Sequence, residues 1–260
     1  TFTGSAYYFW RGSDNVGTQA GDNSFDPGEF KYRQVGFRLG GPIIKNKLFF
    51  FASFEDDKET TPGTNFVANS GSDPITGNTT RVLASDLNTL SSYLRNNFGY
   101  ETGPYQGYDH STIATKFLAK IDYNINDKNK LSLRYNHLDS STDVLMSSSS
   151  SLGFGNRNGR SDALNFQNSN YSILENIRSV VAELNSRLKE NMTNNLIVGY
   201  TYQDESRGYK GEFFPMVDIL EGDRTYTSFG FEPFFENALR DKMDFWRNQG
   251  QVLVPLGIII

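Results

Sequence analysis

The chain carries two histidines, His110 and His137, and no cysteine, so any nucleophilic or acid–base chemistry has few places to live. A Ser-His-Asp relay would need one of those imidazoles within reach of both partners. In "YDHST", Asp109 and Ser111 flank His110, but neighbours in an extended chain point apart rather than converging. His137 falls on the apolar side of an alternating segment, a place for packing. Lack of cysteine removes disulfides, thiolate metal sites and thiol nucleophiles together. Asp22, Asp26 and Glu29 in "DNSFDPGEF" lack the ligand spacing and central glycine of a calcium loop. "GFGNRNG", residues 153–159, spaces its glycines like a phosphate loop, with no strand before it and no helix after it. The serine run 147–151 reads as a flexible loop tip. No catalytic residue, metal ligand or cofactor is therefore expected, and the chain does not read as an enzyme. Tyr100, Tyr105 and Tyr108, beside Gly99, Gly103 and Gly107, are candidate ligand contacts; packing within a loop explains them equally well.

Composition narrows the class. Net charge is −5 and the pI about 5.2, which gives no basic footprint for nucleic acid. Mean hydropathy is −0.52, yet aromatic residues make up 14% of the chain. Disordered chains are aromatic-poor, whereas aromatic side chains suit pleated surfaces. There is no apolar run long enough for a transmembrane helix. "TFTGSAYYFW" has no signal-peptide layout and reads as the middle of a strand, so the sequence is expected to be a piece of a longer protein.

The elements that would position any site are strands. In "KLSLRYNHL" (130–138), Leu131, Leu133, Tyr135 and His137 share one face, with Ser132, Arg134 and Asn136 opposite. In "TKFLAKIDYNI" (115–125), Phe117, Ala119, Ile121 and Tyr123 oppose Lys116, Lys120, Asp122 and Asn124. The polar turn "NDKNK" joins these two into a hairpin. Two further hairpins run through "PIIKNK" and "KENMTN", with Val35, Phe37 and Leu39, then Val180, Ala182, Leu184, Ser186 and Leu188, then Leu196, Val198, Tyr200 and Tyr202 on single faces. "TFTGSAYYFWRG" supplies one more strand.

Between the hairpins lie long polar connections, 12–30, 58–113, 140–175 and 205–240. Compact soluble domains rarely tolerate structureless loops beyond about fifteen residues. Strict alternation of short and long connections is the layout of an outer-membrane barrel, with short periplasmic turns and long extracellular loops. Leu83, Leu87, Leu90 and Leu94 form a helical stripe inside one loop, with Ser85 or Asp86 near its start and Gly99 as terminator. The fold expected is all-β: a partial antiparallel transmembrane barrel of about seven or eight strands, one loop bearing a short helix. A soluble β-sandwich binding a glycan or protein also alternates, and a small eight-stranded outer-membrane adhesin is a third reading. The inward side chains would include Arg38, Lys116, Lys120, Arg134, Glu183 and Arg187.

"GFRLGGPIIKNKLFFFASFE", residues 36–55, resembles the early barrel of TonB-dependent outer-membrane receptors, and within them the Oar-like branch. That branch ends a strand in Gly-Gly-Pro-Ile, turns through lysine, and restarts as Leu-Phe-Phe-Phe before an acidic residue. The matching positions are Gly40, Gly41, Pro42, Ile43, Lys47, Leu48, Phe49, Phe50, Phe51 and Glu55. "KIDYNINDKNKLSLRYN" (120–136) is similar to a hairpin of these receptors, and "FFPMVDI" (213–219) looks like one of their loop segments. The resemblance covers about residues 1–235, within a barrel domain taken as 1–247, and 248–260 reads as a divergent or truncated tail. It implies a Gram-negative outer-membrane location, contact with outer-membrane lipid, and ligand capture at extracellular loops. It also implies import driven through TonB by a plug domain outside this chain, in a protein that carries a carboxypeptidase-regulatory-like N-terminal domain. Arg38, Arg134 and Arg187 would then be candidates for salt bridges to the plug. In "KLFFFASFE", Leu48, Phe50, Ala52 and Phe54 would face lipid, and Phe49, Phe51, Ser53 and Glu55 the lumen.

Overall fold

The computed structural model describes residues 1–24, 28–231 and 239–252. Among them, eight long strands, numbered here along the chain, form one antiparallel sheet: β1 (Thr3–Gly12), β2 (Lys31–Ile44), β3 (Leu48–Pro62), β4 (Asp109–Asn126), β5 (Asn129–Val144), β6 (Tyr171–Lys189), β7 (Met192–Tyr209) and β8 (Leu239–Val252). Each pairs with its sequence neighbours in order, and β1 and β8 are not paired to each other. The sheet is thus an open stretch of barrel wall. An eight-stranded barrel closed on itself is not what these residues form. The expected boundary at 247/248 falls inside β8, and residues 253–260 lie outside the described residues.

The three expected hairpins are present, with tighter turns than the sequence suggested. Residues 45–47, 127–128 and 190–191 connect the strand pairs. Asn46 takes the left-handed conformation (φ 60°), which asparagine tolerates better than most residues. Lys47 N–H donates to the Ile44 carbonyl at 3.0 Å and closes that turn. At the next one, the Asn126 side-chain oxygen accepts from the backbone N–H of Lys128 (3.0 Å) and Asn129 (2.9 Å). The strands are longer than a membrane crossing requires: β4 has 18 residues and β6 has 19, against about 9–11 for a tilted span. The surplus lies at the long-loop end, where continued pairing satisfies backbone groups while the side chains turn polar.

Register fixes the faces, because directly paired residues share a side of the sheet. One side carries Ala6 and Tyr8 of β1, Phe37 and Leu39 of β2, Phe50 and Phe54 of β3, then Ile121, Leu133, Ala182 and Val198. These apolar groups are not covered: Phe37 is 52% exposed, Val180 50%, Val198 49% and Leu133 44%. A sandwich would bury them under a second sheet, and none packs there among the described residues. The outward apolar run 117–125 spans roughly 27 Å along β4 at about 3.4 Å per residue. A tilt near 40° brings that to about 20 Å, close to the ~25 Å band of a membrane barrel.

The buried apolar core sits above the wall instead. Val82, Leu87, Leu94 and Tyr100 from connection 63–108 meet Leu164 and Phe166 from 145–170, and Tyr226 and Phe229 from the segment after β7. Among the described residues its one α-helix, α1 (Ala84–Phe98), lies where the leucine stripe predicted. Leu83 is the N-cap, so the stripe starts one residue before the helix, and Gly99 (φ 69°) ends it in a left-handed cap. Asp86 stands in the first turn and Arg95 in the last, each at the favourable end of the helix dipole.

Candidate functional site: inner wall and loop cap

Two surfaces follow from this arrangement, a polar inner wall and a cap of interlocked loops. On the wall, Tyr7, Gly36, Glu55 and Lys116 lie side by side across β1–β4. Gly36 has no side chain, so the Tyr7 ring lies across it and the hydroxyl donates to Glu55. Lys116 Nζ reaches Glu55 at 2.7 Å and Asp57 at 2.6 Å. A Cβ added at Gly36 would meet the Tyr7 ring at 2.5 Å, closer than van der Waals contact allows. Gly36→Leu is therefore expected to expel Tyr7 and destabilise the wall by about 1–3 kcal/mol. The midpoint of heat-induced mobility shift in detergent measures it; an unshifted midpoint would refute the packing.

The charges expected to point inward do so by register: Arg38, Lys116, Lys120, Arg134, Glu183 and Arg187 all lie opposite the lipid-side rows. Near the turns, Lys120, Asp122, Arg134 and Glu183 line a cleft of about 550 Å³, with Lys120 paired to Asp122 at 2.9 Å. Glu183 and Arg187 border an adjoining cleft of about 600 Å³. Arg38 bonds Ser5 Oγ at 2.9 Å and stands higher on the wall. Among the described residues, Arg134 and Arg187 line separate clefts, and neither cleft includes Arg38.

The long connections interlock into an ordered cap. Leu164 N–H donates to the Tyr226 carbonyl (3.1 Å), Arg81 N–H to Ser161 (2.8 Å) and Gln167 N–H to Pro104 (2.7 Å). Its centre is Arg157, from the glycine-rich segment read above as plain loop. The side chain is fully buried. Nε and one terminal nitrogen fork onto Asp218, both at 2.7 Å, and the other nitrogen donates to the carbonyls of Ser147 (2.8 Å) and Ser149 (3.1 Å). Thus the serine run is not a free tip but wraps a guanidinium. A lone arginine among glycines and asparagines was the available signal, but its partner lies 61 residues away.

The loop tyrosines pack within the cap, one of the two readings given for them. Tyr100 and Tyr108 are buried; Tyr100 accepts from Gly230 N–H at 3.1 Å, and Tyr108 from Asn170 at 3.2 Å. Tyr105 packs edge-on to Phe166 and donates to Asn88 at 3.3 Å. All three make contacts within the cap. His110 is buried under it, its Nε2 accepting from Asn170 Nδ2 at 3.0 Å, since the Asn170 oxygen takes the Met146 N–H. Burial pushes the His110 pKa below its ordinary value. His137 lies on the outward face and bonds Asp139. Asp22 and Glu29 join no metal-binding cluster among the described residues, and Asp26 lies outside them.

Asp218 makes the cap pH-dependent. Burial alone raises its carboxyl pKa, but hydrogen bonds from Arg157 and Ser228 outweigh this and hold it below the usual range. A folded-state pKa below the unfolded one contributes stability above the unfolded value, and that contribution is lost as pH falls through the folded one. Cap protection in hydrogen exchange is expected to be flat from neutrality to about pH 4 and to decline below it. Protection that increases on acidification would contradict this pairing.

A family model described as outer membrane beta barrel domain matches residues 1–235. Among solved structures, the outer membrane transporter YddB from Escherichia coli superposes with a TM-score of 0.55 at 11% identity, over 95% of this chain and 27% of that one. The chain thus spans about a quarter of that transporter's length, and at this identity the likeness is one of fold. A search of curated proteins returns no match.

Proposed function

The chain belongs to the outer membrane beta barrel domain family, and from that membership we propose that it is barrel wall of a TonB-dependent receptor of the Oar-like branch. It is an outer-membrane barrel domain resembling an outer membrane transporter; the transport role and its energy coupling are our reading. The observation that carries it is the contrast between the two ends of the wall. Turns of two or three residues close one end, while the other supports a folded cap with its own apolar core. A cap of that kind supplies a surface for gathering a ligand outside the membrane. The polar wall beneath, with Lys120, Asp122, Arg134 and Glu183 around an open cleft, suits contact with a plug. The role is transport without catalysis, with outer-membrane lipid, TonB and an extracellular ligand as partners and no nucleic acid.

The test is binding of the purified full-length protein, folded in detergent, to the periplasmic domain of TonB. Saturable binding that competes with a plug-derived peptide is expected. No binding by protein with the heat-modifiable mobility of a folded barrel would overturn the proposal.

A further inference from the structure

We propose that a cavity in the cap binds a free α-amino acid, taking its ammonium and its carboxylate together. The cavity holds about 210 Å³ and lies where two connections meet. Phe154, Asn156, Arg160 and Asp162 line it from connection 145–170; Asp223 and Arg224 line it from the tip of the hairpin Val217–Glu221 and Arg224–Phe229. Two guanidinium groups converge there on one carboxylate. Arg224 reaches one oxygen of Asp162 at 3.2 Å, and Arg160 approaches the other through Nε at 3.5 Å. Among the described residues the remaining fork nitrogens of both arginines, and the whole carboxylate of Asp223, make no hydrogen bond.

Two cations and two anions around one cavity select a ligand that carries both charges. Guanidinium forks suit a carboxylate, and the unengaged Asp223 suits an ammonium. The volume is below the roughly 300–1,000 Å³ of pockets for drug-sized ligands, which limits the occupant to a small one. Phe154 is 59% exposed, and its ring offers a face to the apolar side chain of an amino acid. The walls are fixed from behind. Arg81, from connection 63–108, donates to the carbonyls of Asp162 (2.9 Å), Arg224 (3.4 Å) and Thr225 (3.3 Å), and pairs with Glu221. Thr225 Oγ1 donates to the Gly155 carbonyl at 2.7 Å, and Phe154 N–H to Asp218 at 3.4 Å. Asn156 is held left-handed (φ 52°), its N–H on the Ser148 carbonyl at 3.0 Å. Charged tips on so constrained a backbone leave little ordering to oppose binding. This site deepens the reading of the cap as a ligand-gathering surface and rests on it. Its test contains no TonB, so failure here and failure of energy coupling are told apart.

The experiment is equilibrium dialysis of full-length protein, folded in detergent, against labelled L-phenylalanine. Phenethylamine lacks the carboxylate, 3-phenylpropionate lacks the ammonium, and D-glucose is the neutral comparison. L-phenylalanine is expected to bind saturably and at least about tenfold more tightly than either half-ligand, since each loses a set of charge-assisted bonds. Asp223→Asn should weaken L-phenylalanine about tenfold and leave 3-phenylpropionate unchanged. Arg160→Gln with Arg224→Gln should weaken it by at least as much and leave phenethylamine no weaker. Hydrogen-exchange protection of segment 217–229 should match wild type in both. If the double variant loses that protection, Arg160→Gln alone should weaken L-phenylalanine by at least about threefold. Absence of saturable L-phenylalanine binding, tighter binding of D-glucose, or unchanged affinity in a folded variant would overturn the proposal.

Discussion

Replacing Arg157 with methionine is expected to unfold the loop cap while leaving the wall intact. The substitution removes three hydrogen-bonding nitrogens from a fully buried site. Asp218 then keeps its burial but loses the charge that offset it, and two serine carbonyls lose their donor. Breaking a buried pair by removing one partner costs about 3–5 kcal/mol, a large share of what an assembly this small holds. The second partner sharpens the prediction: Arg157→Met with Asp218→Leu removes both charges and should recover much of the loss. Hydrogen exchange on full-length protein reads both results. Segments 145–170 and 217–229 should lose protection in the single variant, and amides of β4–β6 within the band should not. Equal protection in single variant and wild type would mean that the cap is held by its apolar cluster alone.

The second large effect concerns the wall. Leu133 faces outward in the middle of the apolar band, and its neighbour Ser132 faces the polar side. A lysine on the lipid face near the bilayer midplane costs about 2–4 kcal/mol, whereas lumen positions tolerate charge. Leu133→Lys is therefore expected to lower folding stability in phospholipid vesicles by about that amount, and Ser132→Lys by less than about 1 kcal/mol. Urea-dependent refolding into vesicles measures both. The comparison controls for strand position, since the two sites differ by one residue and pair with the same two neighbouring strands. Equal costs would show that neither face is lipid.

Period-two alternation made the wall legible because the membrane imposes it on every strand. Leu131–Leu133–Tyr135 against Ser132–Arg134–Asn136 is visible without knowing which strand is adjacent. Helix α1 was legible for a similar reason, through its leucine spacing and the glycine that ends it. The cap was not legible, because its order comes from contacts between loops. Arg157 reads as an isolated cation until Asp218 is placed beside it, and Tyr100 as a surface aromatic until Gly230 closes over it. The strands were also longer than their apolar stretches suggested. Periodicity reports only where one side is apolar, while the hydrogen-bonded ladder continues upward through polar pairs such as Glu175 and Glu205.

The central claim is that one strand face meets lipid and the other water. The chain contains no cysteine, so single cysteines can be introduced at each residue from 131 to 137 of full-length protein and carry a nitroxide in phospholipid vesicles. Collision with oxygen, which concentrates in lipid, should peak at 131, 133 and 135. Collision with a water-soluble nickel chelate should peak at 132, 134 and 136, out of phase with the first. The same phase for both probes, or no alternation along the strand, would contradict the account.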